Sequence, residues 1–230
     1  MRTIGLIGGL SWESSAEYYR IVNEAVRARC GGLHSAQCLI WSFDFAEIEV
    51  LQSSARWVEA TDRMIDAAQR LERGGAACLV ICANTMHKMA DEVQASVSIP
   101  LIHIADATAA RIQAAGLTRV GLLGTRYTME EPFYKDRLTQ KFGLEVCVPN
   151  AADRQIVNAV IYDELCQGIV KPESKAHYLP IIDGLVDQGA QAIILGCTEL
   201  LLLIKPNDTI VPQFDTTTIH AIAAVDWALS

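Results

Sequence analysis

The sequence predicts an α/β protein of two Rossmann-like α/β/α lobes related by pseudo-twofold symmetry. Three observations carry this. Strand-like and helix-like runs alternate from end to end. The strand-like runs are almost free of charge, as parallel strands covered on both faces must be. Two strand-and-turn segments recur at nearly the same spacing. At 230 residues the chain has room for one large domain or for two lobes, each of roughly 100 residues.

In order, Thr3–Ile7 reads as a short buried strand, followed by a glycine turn and a helix over Ser14–Arg29. Gln37–Phe43 reads as a second strand. Arg56–Arg73 is an amphipathic helix that stops at Gly74-Gly75. Cys78–Ile81 is a third strand, leading into Asn84-Thr85. Leu101–Ile104 reads as another strand, with helix to Ala115. The pattern then restarts. Arg119–Gly124 echoes Thr3–Gly8, an offset of 116 from Gly5 to Gly121. Gln188–Glu199 echoes Gly74–Thr85, an offset of 114 from Gly75 to Gly189. Helix-like runs, Arg56–Arg73 and Ser174–Val186, precede the second echo in both halves. The expected first lobe is residues 1–115 plus 210–230, the second is 116–209, and a ligand is expected in the cleft between them, beyond the carboxyl ends of the strands.

Composition narrows the function. Hydrophobic residues are 51% and charged residues 20%, which suits a well-filled core. A net charge of −8 argues against a nucleic-acid partner, which needs a basic face. A small acidic ligand stays compatible, because a few local donors outweigh distant charge. No apolar run approaches the ~20 residues that span a bilayer, and the amino-terminal segment lacks the features of a signal peptide. The seven cysteines (30, 38, 78, 82, 147, 166 and 197) are scattered, as reduced thiols of a cytoplasmic protein would be. Histidines 34, 87, 103, 177 and 220 form no pair at ligand spacing, so no metal site is expected.

Four segments can carry chemistry. Cys197, in Leu195–Glu199, follows a strand directly; as a nucleophile or base it would gain from the dipole of a following helix, which favours the thiolate. Its bland alternative is a core cysteine. Asn84 and Thr85 occupy the matching place in the first half and suit a carboxylate, or cap the next helix. His87 reads as a polar residue in that helix's first turn. Ile4–Ser11 and Leu122–Thr128 are glycine-bearing turns whose N–H groups, with Thr125 and Thr128, suit an anion; Gly5, Gly8 and Gly9 do not match a dinucleotide fingerprint.

Taken together these segments resemble the aspartate/glutamate racemase family over essentially the whole chain. The resemblance rests on Ile4–Ser14, Asn84-Thr85, Leu123–Thr128, Leu195–Glu199 and Phe214–Thr216; Gly31–Ala36 and Asn84–Lys88 are most similar to its enterobacterial branch, L-aspartate/glutamate-specific or of broad specificity. It implies homodimers, no cofactor, a small acidic amino acid as substrate, and two opposed acid–base residues serving the two faces of a planar carbanion. Cys197 matches one of them. Ala83 stands at the other, where most of the family has cysteine and this branch threonine. A methyl group moves no proton, and Cys82, its neighbour, should point to the opposite face. The resemblance assigns Gly9, Leu10, Ser11, Gln52, Asn84, Thr85, Thr125, Thr128, Thr198 and Glu199 to substrate binding. The family's usual lysine near Tyr162–Gly168 is missing.

Ala83 fits a replacement made in a two-base enzyme to hold substrate unreacted, favoured by the otherwise intact motifs, or a natural one-thiol enzyme. Little or no racemisation is expected of the chain as it stands. The competing readings are a one-thiol enzyme like the arylmalonate decarboxylases, a non-catalytic protein that binds acidic amino acids, and, more weakly, a maleate-isomerase-like enzyme or a nucleotide-binding domain.

Overall fold

The chain forms seven strands, all parallel, in two sheets. A computed structural model describes residues 1–230, and the chain divides into two units, Met1–Ile104 with His220–Ser230, and Ala105–Ile219.

The first unit holds β1 (Ile4–Gly8), β2 (Cys38–Ser42) and β3 (Cys78–Ile81), in the order β2-β1-β3. Its helices are α1 (Trp12–Cys30), α2 (Phe45–Ser53), α3 (Trp57–Arg73) and α4 (Ala90–Ala95), with a 3-10 helix over Thr85–Met89 before α4. Successive strand residues face opposite sides. Ile4, Leu6, Cys78, Val80 and Cys82 pack with Tyr18 and Val22 of α1 and with Ala221, Ala224 and Val225. Ile7, Leu79 and Ile81 pack instead with Met64, Ala67, Ala68 and Leu71, the apolar stripe of α3. Gly9, at φ +71, has no space for a side chain, since a Cβ there would lie 2.2 Å from the Phe43 carbonyl oxygen.

The second unit runs α5 (Ile104–Ala114), β4 (Arg119–Gly124), α6 (Arg126–Glu130), α7 (Pro132–Asp136), β5 (Glu145–Cys147), α8 (Ala151–Asp163), α9 (Pro172–Asp187), β6 (Ile193–Gly196), α10 (Leu200–Leu203), β7 (Gln213–Asp215) and α11 (Thr216–Leu229). The division between the units falls after Ile104, the first residue of α5, and before His220 within α11. The strand order is β5-β4-β6-β7. Leu123, Ile193 and Leu195 pack with Val157 and Ile161 of α8 and Tyr178, Ile182 and Leu185 of α9.

The internal echo holds at the level of register. Gly5 of β1 pairs with Leu79 of β3, and Gly121 of β4 pairs with Ile193 of β6, so one alignment satisfies both echoes. Both glycines sit where a Cβ would come 2.9 Å from a packed side chain, of Ala76 and of Ile193.

Two expectations need correction. Leu101–Ile104 is not a strand: it makes a single parallel bridge, Leu101 to Leu79. The Leu79 N–H donates to Pro100 O and the Ile102 N–H to Leu79 O, both at 2.9 Å; Pro100 has no N–H to extend the ladder, and α5 begins at Ile104. The boundaries also move. The chain leaves the first unit at Ile104 rather than 115 and returns at His220 rather than 210; the pairing of β7 with β6 keeps residues 213–215 in the second unit.

Candidate active site

In the second unit, the loops after β4 and β6 start side by side. Gly124 pairs with Gly196, and a Cβ on either would lie 2.8 Å from a backbone oxygen of the other strand. Thr125 follows Gly124 and caps α6: its Oγ1 accepts from the Thr128 N–H at 3.3 Å and lies 3.2 Å from Thr128 Oγ1. Both threonines are buried. Cys197 follows Gly196 and is 7% exposed. Its Sγ donates to Glu199 Oε2 at 2.9 Å, and Thr198 Oγ1 donates to the same oxygen at 2.7 Å. Glu199 is itself buried.

This geometry corrects the expected thiolate. α10 is a four-residue helix that starts only at Leu200, so little dipole is available. Burial, and after it the Glu199 carboxylate, push the Cys197 thiol well above its ordinary range. The thiol so raised keeps its proton, which it donates in the hydrogen bond to Glu199 Oε2.

In the first unit, the Cys82 N–H donates to Ile7 O at 2.9 Å, tying the loop after β3 to the end of β1. Ala83 packs on the side of Ile81 and Met86, whereas Cys82 lies fully buried on the other face, its thiol raised by desolvation. Asn84 and Thr85 are buried, and Asn84 makes no side-chain cap to the following helix. Gln52 of α2 reaches the same segment, its Nε2 lying 3.0 Å from Met86 Sδ. Beyond β1, the Gly9 N–H donates to Ser15 Oγ at 2.7 Å, Leu10 is buried in the core, and Ser11 Oγ accepts from the Ser14 N–H as the cap of α1. The Gly9 N–H and the Ser11 hydroxyl oxygen thus take part in hydrogen bonds within their own loop.

His87 lies in the first turn of the helix after β3, as expected, but its side chain is not a solvent-facing one. It is 3% exposed, with its imidazole bonded to the Ala83 carbonyl oxygen and to the Ile104 N–H. The second bond joins residues 17 apart, which no local pattern announces.

A model of the Asp/Glu/Hydantoin racemase family matches residues 7–224. The chain belongs to that family. The family places it among the amino-acid racemases, which are isomerases. A crystal structure of an Asp/Glu racemase candidate from Yersinia pestis superposes with a TM-score of 0.94 at 52% identity, with 100% of both chains covered. That of an aspartate racemase homologue from Pyrococcus horikoshii gives 0.86 at 36% identity, again with 100% of both chains covered. The broad-specificity amino-acid racemase RacX of Bacillus subtilis is 27% identical over 175 residues, 75% of this chain and 74% of its own length. The α/β fold of this racemase is that of the two solved structures. No helix is long and apolar enough to cross a membrane.

Proposed function

We propose that the chain is a cofactor-independent racemase framework for acidic amino acids, aspartate or glutamate, working by two-base α-proton transfer and disabled at its first base. The observation that carries this is the Cys197–Glu199 pair at the end of β6, with Ala83 at the equivalent end of β3. For Cys197 to act as a base, its Sγ–H bond breaks and an Oε2–H bond forms on Glu199. The thiolate then takes the α-proton from one face of the substrate. The buried site gains no net charge in the first step, which is why the neighbouring carboxylate helps rather than hinders. Glu199 is therefore a proton acceptor for the thiol as much as a substrate contact. Return of a proton from the same sulfur regenerates the same enantiomer; inversion needs a group at position 83 on the opposite face.

Gly9, Leu10, Ser11, Gln52, Asn84, Thr85, Thr125, Thr128 and Thr198 are the proposed carboxylate and amine contacts, in a homodimer of the cytoplasm. The test is incubation with L- and D-aspartate and glutamate in heavy water, with Ala83→Thr alongside. The chain should exchange the α-proton with retention, and the Ala83→Thr variant should racemise faster by on the order of 10²-fold or more. If neither protein exchanges or racemises any of the four, the reading fails. A second reading rests on the single thiol: a decarboxylase that only needs to protonate a carbanion made by loss of carbon dioxide. Release of carbon dioxide from an arylmalonate would favour it.

A further inference from the structure

The segment after β3 contains a histidine that the proton-transfer scheme does not use. The backbone there is a 3-10 helix, so the His87 N–H donates to Asn84 O at 3.0 Å, three residues back. In an α-helix it would have bonded the Ala83 carbonyl, four residues back. His87 supplies that missing donor with its side chain: Nδ1 lies 2.8 Å from Ala83 O. On the other side of the ring, the Ile104 N–H points at Nε2 at 3.2 Å. An amide N–H only donates, so Nε2 carries no proton; the carbonyl only accepts, so Nδ1 carries one. The ring is thereby neutral and in a single tautomer.

The far anchor is itself fixed. His220 Nε2 lies 2.6 Å from Ile102 O, and its Nδ1 lies 2.8 Å from the Tyr18 hydroxyl. By the same reasoning His220 carries its proton on Nε2. The His87 ring packs 4.6 Å from that of His103 and 5.5 Å from that of His220, centroid to centroid. Two histidines of opposite tautomer thus hold residues 102 and 104, where the chain leaves the first unit, and one of them also holds the carbonyl of residue 83.

We propose that His87 is a positioning residue for position 83: it fixes the peptide plane there and so sets the direction from which a side chain at 83 meets substrate. This rests on the racemase reading. It follows that His87 serves one face of the reaction and not the face served by Cys197. Misplacement of an acid–base group by about 1 Å costs on the order of 10²-fold, so loss of this brace should be visible in turnover.

The test places His87→Leu and His87→Gln in the Ala83→Thr background and in the chain as it stands. With Ala83→Thr, His87→Leu should lower kcat for aspartate racemisation by about tenfold or more, with KM within about threefold. His87→Gln should recover most of it, because an amide can donate to the 83 carbonyl and accept from the 104 N–H. In the unaltered chain, His87→Leu should slow α-proton exchange by Cys197 by a clearly smaller factor than it slows racemisation with Ala83→Thr. Equal losses on both faces, or no loss in kcat, would overturn the proposal. Should the leucine variant not fold, the glutamine variant and imidazole 15N spectra decide. The spectra also separate this idea from the racemase reading if Ala83→Thr proves inactive. A His87 ring protonated on Nδ1 alone near neutral pH, with the Asn84 amide resonance displaced in His87→Gln, supports the brace; an Nε2–H tautomer or an imidazolium sinks it.

Discussion

The loops after β3 and β6 leave equivalent points of the same strand order but solve different chemical problems. After β6 the chain places a thiol against a carboxylate, joined by a hydrogen bond. After β3 it places a methyl group at the matching position and spends its polar chemistry on backbone, with His87 bracing the 83 carbonyl. A repeated framework therefore fixes where a side chain is presented, while the few residues beyond the strand decide whether it reacts. Position 83 lies at the strand-end place equivalent to Cys197 and carries a methyl group.

The largest test of this contrast removes the reactive end. Cys197→Ala should abolish α-proton exchange in the otherwise unaltered chain, a loss of on the order of 10²-fold or more, followed by deuterium uptake into aspartate. Residual exchange within about tenfold of the parent would transfer the acid–base role elsewhere.

Next in size is a pH effect confined to the first unit. Burial pushes His220 down to about 4, against an unfolded value of about 6.5. The native state thus binds fewer protons than the unfolded chain between these values. The stabilisation is full above about 6.5 and is lost as pH falls toward about 4. Urea unfolding at pH 7.5 and 4.5 should differ by about 2–3 kcal/mol from this group alone. His220→Gln should remove that part of the difference; an unchanged pH dependence would show that His220 titrates normally.

The contrast between halves can be sharpened at the paired glycines. Gly5→Ala and Gly121→Ala should each cost about 1–3 kcal/mol from overpacking, measured by thermal or urea unfolding. Similar costs fit one repeated strand geometry, and a large asymmetry breaks it. The subtlest effect belongs to Glu199. Glu199→Gln removes the carboxylate that raises the Cys197 thiol, so alkylation of Cys197, followed by peptide mass spectrometry, should begin at lower pH. Burial remains, and keeps the thiol above the ordinary cysteine range.

Much of the fold was legible because it is written in local composition. Uncharged runs such as Cys78–Ile81 and amphipathic ones such as Trp57–Arg73 announce themselves. Leu101–Ile104 misled because its apolar run met a strand end already committed to a single bridge, which only tertiary pairing decides. The unit boundaries shifted for the same reason, since β7 belongs to whichever sheet it pairs with. In the candidate site, the strand-end positions of Cys197 and Ala83 could be read from the echo. The direction of the Glu199 carboxylate and the reach of His87 to Ile104 could not, because each is set by a turn or by a distant backbone atom.

The first unit is discontinuous, and this orders its birth on the ribosome. One face of its sheet is covered partly by Ala221, Ala224, Val225 and Ala228, and the Arg2 N–H donates to Ala228 O at 2.9 Å. Strands β1 to β3 are synthesised early yet must wait, with Ile4, Leu6 and Val80 short of their cover, until the whole second unit has been made. The second unit can close on itself during that interval. The nascent chain thus carries its older half unfinished while its younger half can be complete.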